Sequence, residues 1–375
     1  MRVAIISHTQ HYKNSQGEIV GWGPTIKEIN HLSESINSII HIAPFHKENP
    51  PNSALPYDAK NITFLALKSS GGKGLNKLSI LITAPYNLYK IIKGIKDVDY
   101  IQFRAPTGIG IYVLPLLKIF YSNKYWVKYA GNWKDLYMPF GNKVQKVWLQ
   151  KFTSLKTKVT VNGFWKNERS NILPFENPCL DVNDRLSGEN LLKDKRLDKK
   201  LTFCFVGALN KHKGVDVILE TLALIDSRSI KEIHFVGDSI EKEKYINRSK
   251  TINYKIHFHG FLSKKKISDV YKKSHFILLP SKSEGFPKVI AEAMNFSCIP
   301  IVTNMSCINQ YIIDNKNGFL LSKPSIDELY LAMNKAIQLT NNQFINWTKN
   351  NYYLVNKFTY KYYIKRLKEE IFIYK

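Results

Sequence analysis

Pro280-Ser281-Lys282-Ser283-Glu284-Gly285-Phe286-Pro287-Lys288-Val289-Ile290-Ala291-Glu292-Ala293-Met294 decides how this chain is understood. The apolar run ending at Leu279 has the look of a buried strand, and a tight turn holding Glu284 and Gly285 follows it. A helix then begins near Pro287, where proline's fixed φ and missing N–H are tolerated. A helix start presents unpaired N–H groups and about half a positive charge, which suits a phosphate. Gly285 allows a ligand to approach the backbone closely. Glu292 lies further along the helix, where a carboxylate can accept hydrogen bonds from vicinal hydroxyls such as those of a ribose. Two carboxylates bracketing an anion site suit a sugar nucleotide. An ordinary strand–turn–helix with two surface glutamates carries the same spacing.

The surrounding segments repeat one theme. Strand-like runs at Leu201–Val206, Glu232–Val236, Lys255–Phe258, His275–Leu279, Ile299–Val302 and Phe319–Leu321 alternate with helical patterns. Such alternation argues for a parallel α/β sheet. An independent series begins at Arg2–Ser7 and continues through Ile39–Ala43, Ile62–Leu67, Tyr100–Phe103, Tyr125–Tyr129 and Val159–Val161. Residues 181–200 are polar, lack a sustained apolar period and read as a linker, with or without a short helix inside it. The sequence therefore predicts two α/β domains, residues 1–180 and 201–345. A C-terminal helix over 346–375 is rich in tyrosine, phenylalanine and lysine, and either packs on a domain or lies on a membrane surface.

The composition bounds the function. The chain has 375 residues, 44% hydrophobic, and a formal net charge of +25, which favours anionic partners. Lysines recur throughout, as at Lys264-Lys265-Lys266 and over 193–200, with no concentrated basic face or reading motif for nucleic acid. The four cysteines show no CxxC or zinc-finger spacing, so a reducing compartment is expected. No run reaches the ~18 apolar residues of a spanning helix. The chain reads as cytoplasmic, with peripheral association at the inner face of the plasma membrane as an option for its lysine-rich surface.

The segment from Glu284 to Glu292 resembles the E-x7-E signature of retaining glycosyltransferases of the family 4-like, group 1 type, which have the GT-B fold. A second stretch, Phe205-Val206-Gly207-Ala208-Leu209-Asn210-Lys211-His212-Lys213-Gly214, is similar to the strand, glycine turn and Lys-Gly that open that family's donor domain. Phe258-His259-Gly260-Phe261-Leu262 resembles its loop near the nucleotide base, and Asp314–Leu320 its late turn, with Gly318 expected in a left-handed conformation. The resemblance implies two doubly wound, Rossmann-like parallel-sheet domains facing a cleft, the first for the acceptor and the second for the donor. The final helix would pack back toward the first domain. Glu284 and Lys213 become the catalytic candidates. Gly207, Leu262, Gly285, Phe286, Lys288 and Glu292 join them in holding the donor. Where relatives often carry an arginine, this chain has Ala208: either another cation substitutes, Lys211 or Lys288 being nearest, or donor binding is weaker.

On the acceptor side the likeness is mainly one of layout. Gly21 and Gly23 fall in a stretch, Gly17 to Pro24, that stands in place of the family's glycine-rich loop. Arg104 either binds acceptor or phosphate or pairs with a surface carboxylate. Asn132 and Trp133 either line the cleft or, for Trp133, enter the core. His8 and His11 lie near the end of the first strand. The resemblance implies transfer with retention from a UDP- or GDP-sugar to a saccharide or lipid-linked saccharide, in capsule, O-antigen or exopolysaccharide synthesis. No metal and no cofactor are expected, the nucleotide-sugar being a substrate. A nucleotide-sugar epimerase of the same fold is the alternative, and a basic nucleic-acid-binding protein a more distant one.

Overall fold

The structure is a computed structural model, and it describes residues 1–72, 74–121, 124–135 and 138–372. The chain forms two compact units, Met1–Asn177 with Tyr360–Lys375, and Pro178–Thr359.

In the first unit β1 (Arg2–Ile6) leads through the antiparallel hairpin β2 (His11–Lys13) and β3 (Ile19–Trp22) into α1 (Gly23–Ser33). There follow β4 (Ser38–Phe45), β5 (Ala54–Pro56), β6 (Ile62–Lys68), α2 (Ser79–Ile95), β7 (Tyr100–Ala105) and α3 (Gly110–Phe120). β8 (Tyr125–Tyr129), α4 (Phe140–Lys151), β9 (Val159–Val161) and β10 (Ile172–Pro174) complete it. β1 pairs in parallel with β4 on one side and β7 on the other, and β6 extends the sheet beyond β4. Val3, Ala4, Ile5 and Ile6 are all buried, because helices cover both faces of the sheet. One face packs on α2, α3 and α4 through Ile91, Val113, Leu117 and Leu149. The other packs on α1 through Ile29 and Leu32, and on Tyr363 and Leu367 from the C-terminal segment.

The second unit runs α5 (Val182–Asp194), β11 (Leu201–Val206), α6 (Val215–Leu222), β12 (Ile230–Val236), α7 (Lys242–Ser249), β13 (Lys255–Phe258) and α8 (Lys264–Lys273). It continues with β14 (Phe276–Leu279), α9 (Lys288–Asn295), β15 (Ile299–Thr303), β16 (Phe319–Leu321), α10 (Ile326–Ile337) and α11 (Asn341–Leu354). Its six strands are parallel in the order β13-β12-β11-β14-β15-β16. Strand order reverses between β11 and β14. In open α/β sheets ligands collect outside the carboxyl ends of the strands at such a point.

Several expectations need correction. Residues 181–200 are not a linker: α5 occupies most of them and belongs to the second unit. Its contacts are polar, which hid it. Asp181 and Asp184 form a reciprocal capping box, and both accept from the Lys264 ammonium. Gly188 lies so close to α9 that a Cβ there would stand 2.3 Å from the Asn295 carbonyl.

The C-terminal stretch is not one helix. α11 stays with the second unit, and α12 (Tyr360–Arg366) belongs to the first, so the units part at 177/178 and 359/360. Arg366 stacks on Phe175 at 3.9 Å and donates to the Pro174 carbonyl at 2.6 Å. The last three residues of the expected helix, 373–375, lie outside the described residues. Asn315 (φ +54°), not Gly318, takes the left-handed conformation of the late turn. Gly318 is required for space, since a Cβ would meet the Pro300 carbonyl at 2.8 Å. Among the described residues no helix is long and apolar enough to cross a membrane.

Candidate functional site

The second unit brings its two strongest sequence candidates together. Gly214 adopts φ +80°, and a Cβ there would stand 2.1 Å from the Pro280 carbonyl, so only glycine lets the 211–214 turn dock on the end of β14. The Lys282 N–H donates to the His212 carbonyl at 2.9 Å, and the Lys213 N–H to Asn210 Oδ1 at 2.9 Å. These clamps set the Lys213 ammonium in direct contact with the Glu284 carboxylate, both side chains partly open to solvent. The pair sits where the loops leaving β11 and β14 meet, at the reversal of strand order.

α9 supplies the second half. Pro287 precedes its first turn, Lys288 opens it, and Glu292 lies four residues on, along the same side of the helix. The Tyr271 hydroxyl donates to Glu292 Oε2 at 3.3 Å. Burial, then the Glu292 charge, holds the Tyr271 phenol well above its usual pKa, so it stays a donor. Burial and Glu292 also push the Cys179 thiol up. Leu262 is half-buried between β13 and α8. Phe286 contributes backbone only, its ring being stacked on Phe358 at 4.6 Å in the core. The Gly285 carbonyl accepts from Cys307 Sγ at 3.6 Å.

Gly207 ends β11 beside Gly237 and Gly260, which follow β12 and β13. The Gly207 N–H donates to the Val236 carbonyl and the Gly237 N–H to that of Gly260, each at 2.9 Å. A Cβ on Gly237 would stand 1.8 Å from the Gly207 carbonyl. Three strand ends thus approach one another as bare backbone, which leaves room for a ligand to lie against peptide groups.

In the first unit the candidates separate. Residues 17–24 are not an open loop but the second half of the β2–β3 hairpin and the start of α1. Gly21 makes room for the His11 ring (2.6 Å from a Cβ) and Gly23 for the Ser53 carbonyl (2.8 Å). Arg104 is buried: its guanidinium donates to Glu28 at 2.7 Å and Gln102 at 2.9 Å, and Lys128 reaches the same Glu28 oxygen at 2.6 Å. Its carboxylate partner is therefore internal rather than on the surface. Asn132 caps its own loop, accepting from the Lys134 N–H at 3.1 Å, and Trp133 is core.

The sequence missed a hydrogen-bonded ring behind β1. The Thr9 N–H donates to Ser7 Oγ (3.2 Å), Ser7 to His41 Nε2 (2.8 Å), His41 Nδ1 to Tyr57 (2.5 Å), Tyr57 to His11 Nε2 (2.8 Å), and His11 Nδ1 to the Thr9 carbonyl (2.8 Å). One pair of neutral tautomers satisfies every link. Burial drives His41 well below the usual imidazole pKa and His11 down to about 4. Only His11 carried a sequence signal, its place near the strand end. His41 and Tyr57 meet it through the fold alone.

Comparison with known proteins gives a consistent picture. Residues 189–352 match the family Glycosyl transferases group 1. An uncharacterized glycosyltransferase of Methanocaldococcus jannaschii is 30% identical over 145 residues, which are 38% of this chain and 39% of that one. The capsular polysaccharide biosynthesis glycosyltransferase CapM of Staphylococcus aureus is 25% identical over 185 residues, 48% of this chain and 47% of that one. The chain thus spans less than half the length of these curated relatives. The crystal structure of Anabaena Alr3699/HepE in complex with UDP and glucose superposes over the whole of both chains with a TM-score of 0.72 at 14% identity. At that identity the likeness is one of fold, and the fold class is GT-B, with two Rossmann-like α/β units.

Proposed function

We propose that this chain is a retaining glycosyltransferase that moves a sugar from a nucleotide-diphosphate donor to a saccharide or lipid-linked saccharide acceptor. The observation that carries the proposal is the Lys213–Glu284 pair at the strand-order reversal, one loop away from the α9 start and Glu292. The match to group 1 glycosyltransferases over 189–352 covers all of these residues. The UDP and glucose held by the Anabaena protein support a nucleotide-sugar donor, and the capsular role of the S. aureus relative supports surface polysaccharide as the product class.

In this mechanism the α9 N-terminus and Lys213 stabilise the leaving diphosphate, and Glu284 holds the transferred sugar. Glu292, kept in place by Tyr271, takes the ribose hydroxyls. Retention follows if the donor's own phosphate accepts the acceptor proton on the face the diphosphate leaves. Most of the rate then comes from positioning and from electrostatic stabilisation of the diphosphate.

Calorimetry with UDP, GDP, ADP and CMP is expected to show saturable binding of one diphosphate. Glu292→Ala is expected to weaken it roughly 10- to 100-fold, the loss of hydrogen bonds to a charged acceptor. No binding by any nucleotide, or binding indifferent to Glu292, would sink the proposal.

A further inference from the structure

The helices α2, α3 and α4 lie side by side on one face of the first unit's sheet, and their inner sides fill its core. Their outer sides are apolar as well. Along α2, Ile82, Tyr86, Tyr89 and Ile92 recur at helical spacing on the exposed side. Along α4 the large apolar side chains that are exposed are Phe140, Val144 and Val147. α3 adds Ile111, Ile119 and Phe120. Ile82 is 78% exposed, Phe120 70% and Phe140 81%. A surface helix normally turns charged residues outward, and monomers seldom expose apolar patches beyond a few hundred square ångströms.

Charge singles out the same region. Between Lys68 and Lys166 there are seventeen lysines and arginines against Asp97, Asp99 and Asp135, and no glutamate occurs between Glu48 and Glu168. More than half of the net charge of +25 therefore falls in this stretch, Arg104 and Lys128 being the members buried against Glu28 rather than turned toward the helix faces. Asp99 is engaged by the Arg2 N–H, away from the helix faces. Lys93, Lys143 and Lys151 are exposed on these helices among the apolar side chains. Lys118 lies over the rings of Trp148 and Phe152 at 5.5 and 5.7 Å, its stem on apolar surface and its charge outward.

We infer that the outer face of α2, α3 and α4 docks on an anionic phospholipid bilayer, the helices lying in the interface rather than crossing it. Apolar side chains enter the acyl boundary and the lysines meet the headgroups, the pattern of interfacial helices. Each lysine close to an anionic surface contributes roughly a factor of five in partitioning. Charge complementarity favours a lipid surface over a second copy of the chain, whose matching face would carry the same lysines. This deepens the reading above, on which its value to a lipid-linked acceptor rests, and replaces the C-terminal tail as the membrane element, since α11 stays with the second unit and α12 packs on the core of the first.

The test is vesicle flotation of the full chain, with phosphatidylcholine alone and with added phosphatidylglycerol. Flotation with anionic vesicles is expected. It should fall at least tenfold in Ile82→Ser/Phe120→Ser/Phe140→Ser, and in Lys93→Glu/Lys143→Glu/Lys151→Glu should lose its dependence on anionic lipid. Far-ultraviolet circular dichroism and a cooperative thermal melt report whether each variant is folded, and nucleotide binding, read by calorimetry on the same proteins, is expected to be unchanged because its site lies in the second unit. Wild-type protein that ignores anionic vesicles, or variants that float as well as wild type, would overturn the inference. So would a dimer in light scattering that becomes monomeric in the serine variant, which would make the face a contact between copies. Absence of nucleotide binding in wild type, with flotation intact, would count against the donor site and leave the membrane surface standing.

Discussion

Replacing Lys213 with alanine is expected to lower kcat roughly 10²–10³-fold, the usual effect of removing one preorganised group that stabilises developing charge. Two consequences add. The leaving diphosphate loses a cation, and Glu284 is left facing it without its partner. The turn itself should persist, because Asn210, Gly214 and the His212–Lys282 backbone bond hold it independently of the ammonium. Lys213→Arg restores charge but not the compact geometry of an ammonium, so partial recovery is expected. Glu284→Gln combined with Lys213→Ala should recover donor affinity relative to Lys213→Ala alone, since it removes the stranded carboxylate, while kcat stays low. Wild-type turnover in Lys213→Ala would show that the pair is structural and remove it from the mechanism.

The parts of this site that the sequence disclosed are those set by local rules. β11, β13 and β16 fall on the residues expected of them and α9 starts where expected, because each is an apolar run or helical period bounded by a glycine, proline or cap. The positions of Glu284, Lys213 and Glu292 at strand ends and a helix start were legible for the same reason, whereas the roles expected of them came from the family resemblance. What was not legible depends on contacts distant in sequence. α5 reads as polar linker since its partners are Lys264 and the Asn295 carbonyl, not an apolar stripe. α4 was missed for the opposite reason: its period of Phe140, Val144 and Val147 marks its outer side, and only Leu149 and Gln145 are buried. Arg104 was left between a ligand and a surface carboxylate because Glu28, its actual partner, is 76 residues away.

Acid is expected to destabilise the second unit by about 3 kcal/mol through His275 alone. The Thr202 N–H donates to Nδ1 of this buried ring at 3.0 Å, and Nε2–H donates to the Arg196 carbonyl at 3.1 Å. Both nitrogens are thereby committed to the neutral tautomer, and protonating Nδ1 means breaking the bond from Thr202. Burial, then Lys195, holds the pKa at about 4, with Asp198 opposing weakly. Above pH 6.5 neither the folded nor the unfolded chain carries the proton, and the ring costs nothing. Between 6.5 and about 4 the unfolded chain binds it first, so stability falls with pH; below about 4 both bind it and the loss is complete. His234, also held at about 4, adds a slope of the same sign. Calorimetric unfolding from pH 7.5 to 4.5 reads the effect. His275→Asn keeps an acceptor for Thr202 but cannot take a proton, so it should be less stable than wild type at pH 7.5 and shed part of the decline below 6.5. Parallel curves for the two proteins would show that the ring is not the acid-sensitive element.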